Sequence, residues 1–344
     1  MRPCMKLLIV TQVVDIDDPI LGFFHRWVEE LAKRFEHVQV VCLREGRHSF
    51  PSNVEVVPLG GTLRLLRALE VCSIAFGRRK EYEAVFVHMS QEFVLAAGWL
   101  WKMLGKRVYL WRNHYAGSIL TDIAAAFSTK VFCTSKYSYT AKYGKTVRMP
   151  VGIDTDIFVL AADISRNPNS ILSLGRVAPS KKLHVLIEAL ALLKKRGVHF
   201  CASLYGSVHP SDEAYSASLK LNVSNFGLAD IVMFHPGIPH SATPSVYNEH
   251  GIFVNLSESG MYDKTIFEAA ACGTVVLAAS KDLAELADER CITTGDSADI
   301  ATKLEALLAL SAEEREGLRA ALRALAERHS LAALGERLSA EMAV

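Results

Sequence analysis

Short runs of consecutive apolar residues recur along the chain, and between them apolar residues fall at helical spacing. Residues 6–11, 38–43, 54–57, 84–87, 107–111 and 131–135 each read as a buried strand of parallel type, because both faces carry apolar side chains. Between the first two, Phe24, Trp27, Val28 and Leu31 share one helical face while Glu29, Glu30, Lys33 and Arg34 occupy the other. The unit is βαβ. Further helices are predicted over 62–80, rich in Leu with Arg64, Arg67, Arg78, Arg79 and Lys80, and over 92–104 and 136–143.

The second half alternates again. Strands are predicted at 171–174, 200–205, 231–234, 252–255 and 274–278, with helices over 183–196, 214–226 and 241–249. One more helix holds Asp263, Lys264 and Thr265 in its first turn and stops at Gly273, a good left-handed cap. Residues 298–344 read as Ala-, Leu-, Glu- and Arg-rich helices without chemistry of their own. Repeated strand and helix imply an α/β protein with two doubly wound parallel sheets. Met149-Pro150-Val151-Gly152-Ile153-Asp154 and the polar stretch 163–170 mark the boundary. The expected domains are 1–150, 151–325, and a C-terminal helix over 326–344 that packs back on the first.

Composition narrows the possibilities. At 344 residues the chain can build two cores, and a hydrophobic fraction of 50% excludes general disorder. With 38 basic against 37 acidic residues, binding of nucleic acid by bulk charge is not expected, so any anion must be met locally. The widely spaced cysteines Cys4, Cys42, Cys72, Cys133, Cys201, Cys272 and Cys291 read as reduced core residues of a cytoplasmic protein. No Cys-x-x-Cys or His-x-x-x-His pair suggests a zinc site. The apolar run at 7–10 is too short for a signal-peptide core, and that at 93–101 too short to cross a bilayer. The basic helix 62–80 is a candidate for peripheral contact with the inner face of a membrane.

Candidate chemistry begins at 171–186, where an apolar strand breaks at Gly175 and presents Arg176, Lys181 and Lys182 before helical periodicity resumes. A strand, a small-residue turn, cations and a helix start describe an anion site. Arg supplies a planar fork for phosphate oxygens and Lys a mobile point charge. His88 and His114 both follow predicted strands, where open α/β sheets place their ligand crevice. The Ser- and Gly-rich segment 257–262 leads into the helix that carries Glu268, whose free amides would also attract an anion.

Four stretches together resemble a known family. Residues 24–43 are similar to the segment F…ELAKRGHEVTVV of the family 4 retaining glycosyltransferases. Pro150-Val151-Gly152-Ile153-Asp154-Thr155-Asp156-Ile157-Phe158 is similar to their PNGVDTERF linker, with Val151 in place of Asn. Gly175-Arg176-Val177-Ala178-Pro179-Ser180-Lys181 matches GRLVPEK at Gly, Arg, Pro and Lys, and Phe267-Glu268-Ala269-Ala270-Ala271-Cys272-Gly273 resembles LEAMACG. The order of the motifs matches over nearly the whole chain.

The resemblance implies a GT-B fold, two Rossmann-like domains facing across a cleft, and transfer of a sugar from a nucleotide-diphospho-sugar, UDP- or GDP-linked, without a metal. Arg176 and Lys181 would stabilise the leaving diphosphate, and His88 or His114 would contact the transferred sugar. Glu268 would hold the ribose hydroxyls, with Gly175, Gly206, Asp263, Lys264 and Thr265 completing the nucleotide site. One departure stands out: the family's second Glu, eight positions before the ribose-binding one, is Gly260 here. Asp263 and Lys264 are the nearest substitutes. The alternatives are a nucleotide-sugar epimerase of similar fold and a non-catalytic nucleotide-binding descendant. The acceptor is not legible in the sequence.

Overall fold

The computed structural model describes residues 5–18, 21–257, 259–260 and 263–343. It separates into two compact units, one formed by Met1–Gly152 with Leu331–Val344 and the other by Ile153–Ser330.

The first unit runs β1 (Lys6–Val14), α1 (Phe23–Ala32), β2 (His37–Glu45), β3 (Val54–Pro58), α2 (Arg64–Gly77), β4 (Ala84–His88) and α3 (Gln91–Met103), then β5 (Arg107–Trp111), α4 (Ile119–Phe127), β6 (Lys130–Cys133) and β7 (Thr146–Arg148). Its strands form one parallel sheet in the order β3-β2-β1-β4-β5-β6-β7. Chain direction across the sheet reverses at β1, so the crevice beyond the carboxyl ends of β1 and β4 is the switch point where such sheets bind ligands. Alternation along β1 divides the core between the two faces. Leu7 and Ile9 pack with Phe24, Trp27 and Leu31 of α1, and Leu8 and Val10 with Val71 of α2, Phe93 of α3 and Ala124 of α4. The C-terminal helix α11 (Leu331–Ala343) completes the first face with Leu331, Leu334, Leu338 and Met342. The Tyr109 hydroxyl donates to the Met342 carbonyl at 3.2 Å, and Lys130 Nζ lies 3.0 Å from Glu341 Oε2.

The second unit runs β8 (Asn167–Leu174), α5 (Leu183–Lys195), β9 (Cys201–Tyr205), α6 (Glu213–Asn225), β10 (Val232–His235), α7 (Thr243–Glu249), β11 (His250–Asn255), α8 (Lys264–Ala271), β12 (Val275–Ala278), α9 (Ser297–Leu308) and α10 (Ala312–Arg328). Its parallel sheet has the order β10-β9-β8-β11-β12, so the switch point lies between β8 and β11. Arg166, just before β8, ties this sheet to α8: its guanidinium donates to the carbonyls of His250 at 2.9 Å and Cys272 at 2.7 Å and to Thr274 Oγ1 at 2.9 Å. Burial pulls its pKa down to about 10. Each unit is thus a doubly wound parallel α/β sheet, in keeping with the alternation of strands and helices along the chain.

Several elements depart from the periodicity. The helix expected over 62–80 ends at Gly77, a poor helix former, and Arg78 turns back to pair with Glu55 at 2.8 Å. Only Arg64 and Arg67 of the expected basic set therefore lie on α2, whose buried residues are Val71 and Ala75. The stretch 136–143 forms only a 3-10 turn, Tyr139–Lys142, and α7 starts at Thr243 after a second such turn. Helix α4 and strand β7 were not anticipated. Ile119, Leu120 and Ile123 of α4 are exposed, so its apolar residues do not trace a core-facing stripe. β8 begins at Asn167, inside the polar stretch read as linker, because its first residues lie at the sheet margin.

Candidate functional site

In the second unit the site is built on two glycines. Gly175 follows β8 with φ +150°, a conformation that side chains disfavour, and Gly206 follows β9. A Cβ on Gly206 would stand 2.1 Å from the Gly175 carbonyl oxygen, so the two strand ends meet backbone to backbone. The Gly175 amide donates to the Tyr205 carbonyl at 3.0 Å and the Val177 amide to that of Ser207 at 3.0 Å. This contact fixes the loop 176–182, which contains the 3-10 turn Pro179–Lys181 and ends at Lys182 with φ +52°. A small pocket at the switch point is lined by Gly175, Arg176, Lys181, Tyr205, Asn255 and Leu256.

Lys181 crosses this pocket to the start of α8. Its Nζ lies 2.5 Å from Asp263 Oδ2 and donates to Ser257 Oγ at 2.9 Å. Asp263 caps α8: its Oδ1 accepts the Thr265 hydroxyl at 2.8 Å and the Thr265 amide at 3.3 Å, and its Oδ2 accepts Asn255 Nδ2 at 2.9 Å. Burial works to raise the Asp263 pKa, but the Lys181 charge and the donors from Lys181, Asn255 and Thr265 outweigh it and hold the carboxyl well below the usual range. Asp263 is thus an anion whose charge already answers Lys181. Arg176 is exposed and makes no hydrogen bond or ion pair among the described residues, which leaves it open to an incoming anion.

Farther along α8, Glu268 is 4% exposed, with Oε1 2.9 Å from His240 Nε2 and Oε2 accepting the Tyr247 hydroxyl at 3.4 Å. Burial and the Glu268 charge together push the Tyr247 pKa well up, so the phenol remains a donor. Lys264 is half-buried at the helix start, where burial pulls its pKa well down against the opposing pull of Glu268. Gly260 is buried with φ +101°, and its amide donates to Asp282 Oδ2 at 3.5 Å. Of the loop 257–262, Glu258, Met261 and Tyr262 lie outside the described residues.

The two histidines occupy different settings in the first unit. His88 ends β4, is 2% exposed and stacks on Phe24 with ring centroids 4.0 Å apart, and Trp27 meets its edge at 5.6 Å. Its Nδ1 is 3.4 Å from Thr11 Oγ1. The next residue, Met89, has φ +63° and is held by donation of its amide to the Trp111 carbonyl at 2.8 Å, a strained position at the switch point. His114, in the loop after β5, is half-buried; its Nδ1 lies 2.9 Å from the Ala116 amide nitrogen and 3.2 Å from the Ala116 carbonyl oxygen.

The structure therefore brings Gly175, Arg176, Lys181, Gly206, Asp263, Lys264, Thr265 and Glu268 to one end of the second sheet. His240, Tyr247, Asn255 and Ser257 belong to the same constellation and were not singled out from the sequence. Asn255 had a signal, a polar residue ending an apolar strand; His240 and Tyr247 reach Glu268 from another element and had none. Of the described cysteines, Cys42, Cys133, Cys272 and Cys291 are buried and Cys72 and Cys201 half-buried, all free; Cys4 lies outside the described residues. No helix among the described residues is long and apolar enough to cross a membrane.

Comparison with known proteins adds three findings. The family description "Glycosyl transferases group 1" matches residues 159–324. D-inositol 3-phosphate glycosyltransferase of Thermomonospora curvata is 28% identical over 121 residues, 34% of this chain and 28% of that protein. Mannosylfructose-phosphate synthase of Agrobacterium fabrum is 28% identical over 138 residues, 37% of this chain and 30% of that protein. The matches thus span about a third or less of these relatives' lengths. The Anabaena protein HepE in complex with UDP and glucose superposes with a TM-score of 0.78 at 19% identity, covering 98% of this chain and 99% of that one. A sucrose-phosphate synthase from Thermosynechococcus elongatus has a TM-score of 0.77 at 17% identity, covering 97% and 98%.

Proposed function

We propose, from the premise that this chain belongs to the group 1 glycosyltransferases through residues 159–324, that it moves a sugar from a nucleoside-diphospho-sugar to an acceptor with retention at the anomeric carbon. The observation that carries this reading is the meeting of Arg176, Lys181 and the capped start of α8 at the switch point of the second sheet, with buried Glu268 about one turn along the same helix. UDP in the structure of the similarly folded HepE supports a nucleotide donor. The diphosphate is held by Arg176 and Lys181, which stabilise the charge that grows on it as the glycosidic bond breaks. Glu268, fixed by His240 and Tyr247, accepts the ribose hydroxyls. Lys264 and the amides of the α8 start contribute further donors.

No metal is required in this scheme, because the two cations supply the neutralisation. The protein works in the cytoplasm, with peripheral membrane contact through α2, whose Leu65, Leu69 and Phe76 are more than half exposed beside Arg64 and Arg67. Of the four carboxylates that the epimerase alternative could use as acid and base, three are engaged by cations, Asp17 by Arg47 at 2.6 Å, Asp18 by Arg44 and Asp263 by Lys181, and Asp15 accepts the Asp17 amide at 3.0 Å. Gly260 favours the non-catalytic alternative, which predicts binding without turnover. Calorimetric titration with UDP and GDP tests the donor site. One of them is expected to bind, and Glu268→Ala to weaken it at least about tenfold, the loss of a hydrogen bond to a charged group; no binding of either nucleotide sinks the reading.

A further inference from the structure

Of the two histidines beyond β4 and β5, only His114 offers its ring. His88 is enclosed by Phe24 and Trp27. His114 is half-buried, stacks on exposed Tyr115 with ring centroids 4.5 Å apart, and engages the Ala116 backbone through Nδ1, which leaves Nε2 open. A side chain on a loop points one way only if the loop is held, and a misplacement of about 1 Å is enough to impair chemistry. Residues 112–117 belong to no strand or helix, so the hold must come from neighbouring elements.

Much of that hold passes through Tyr139, in the 3-10 turn Tyr139–Lys142. Its amide donates to the His114 carbonyl at 2.9 Å. Its ring packs directly on the loop backbone: a Cβ on Gly117 would stand 2.1 Å from Tyr139 Cδ1, so a glycine is needed there for the ring to fit. These two contacts bracket Ala116, whose backbone the His114 ring leans on. The Tyr139 hydroxyl in turn donates to Asp122 on α4, 3.2 and 3.1 Å from its two carboxylate oxygens. Asp122 collects two further donors, Lys142 Nζ at 2.8 Å and the Tyr143 hydroxyl at 2.5 Å, and Lys142 Nζ lies 3.9 Å from the centre of the Tyr139 ring. Lys142 first, then Tyr143 and Tyr139, hold the Asp122 carboxyl below its usual range, so it stays an anion. The Asp122 and Lys142 side chains are 33% and 48% exposed, and ion pairs so exposed add little stability; what the cluster does fix is the ring on Gly117.

Resting on the glycosyltransferase reading above, we infer that Tyr139, tied through its hydroxyl to Asp122, is a positioning residue that sets the His114 ring for contact with the transferred sugar. Both residues act through the loop 112–118.

The test follows sugar transfer and the His114 ring in the full chain. Tyr139→Phe keeps the ring on Gly117 and drops only the tie to Asp122, so Tm should hardly move. Its kcat should fall about tenfold, the worth of a hydrogen bond to a charged group, with a smaller change in KM. Asp122→Ala should do the same, and Asp122→Asn, which keeps an acceptor for the hydroxyl, should recover most of the loss. In a His114→Ala background, Tyr139→Phe should lower kcat no further, because a residue that acts through the ring has nothing left to position. UDP affinity should match the parent in every variant. The nitrogen-15 NMR signal of the His114 ring, identified by its loss in His114→Ala, should shift in Tyr139→Phe. An unchanged kcat in Tyr139→Phe, or an equal fall in both backgrounds, overturns the inference. No turnover in the parent sinks the transferase reading instead, and the ring signal then decides alone: unmoved, it overturns the positioning role, and moved, it upholds that role.

Discussion

Lys181 Nζ and Asp263 Oδ2 stand 2.5 Å apart, so the loop after β8 and the start of α8 are joined by an ion pair across the switch point of the second unit. The pair places a carboxylate beside the cation expected to meet the diphosphate. Asp263→Asn removes that competing charge and should leave UDP affinity equal or higher. It should also lower stability by about 1–3 kcal/mol, since Lys181 loses its partner in a half-buried site. Calorimetry and thermal denaturation of the same variant check both signs.

Acid should act on the same pair. Because the folded pKa of Asp263 lies below that of a free aspartate, about 3.9, its stabilising contribution is complete above that pH and declines as pH falls below it. Denaturant unfolding between neutral pH and pH 3 should show an acid loss that Asp263→Asn diminishes. An identical pH dependence in the two proteins would mean that the pair does not contribute.

The two histidines should separate by experiment. His88 is buried against Phe24 and Trp27, so His88→Ala opens a cavity and should cost about 2–4 kcal/mol, read as a lower Tm. His114 is half-buried and its Nδ1 contacts only the Ala116 backbone, so His114→Ala should leave Tm nearly unchanged and lower kcat if it touches the sugar. A drop in kcat confined to His88→Ala, at a temperature where that variant is folded, would reassign the sugar contact to His88.

Gly206→Ala tests the backbone contact that aims the loop. Its Cβ would fall 2.1 Å from the Gly175 oxygen, a backbone atom that cannot rotate away. A loss of about 1–3 kcal/mol and weaker UDP binding are expected together, since the same shift moves Arg176.

Ending the chain at Ser330 would remove Leu331, Leu334, Leu338 and Met342 from the core around Trp27. At about 1.5–3 kcal/mol for each buried side chain, the loss rivals the whole stability of a domain. Calorimetry should then show the transition of the first unit lost and that of the second retained.

Much of this was legible in the sequence, for physical reasons that differ between elements. Parallel strands buried on both faces print as continuous apolar runs, so β1, β4, β5 and β12 could be read directly. Gly175, Gly206 and Arg176 were visible because a strand, a turn and a cation lie together in the chain. The partner of Lys181 was not, because Asp263 approaches from far along the sequence, and neither were His240 and Tyr247 around Glu268. α4 escaped because its outward face is apolar and its inward face is Thr121, Ala124 and Ala125. The cavity of the first unit lined by Gln12, Arg64, Ser90 and Phe93 draws single residues from several elements, a pattern that spacing does not carry.

Whether the second unit's cations serve a departing nucleoside diphosphate is decided by steady-state release of UDP or GDP from a panel of nucleotide sugars. Turnover is expected with at least one donor, and in Lys181→Ala and Arg176→Ala a kcat lower by about a hundredfold with a smaller change in KM, the signature of groups that act on the transition state. Absence of turnover with every donor, or an effect of both substitutions confined to KM, would contradict that role.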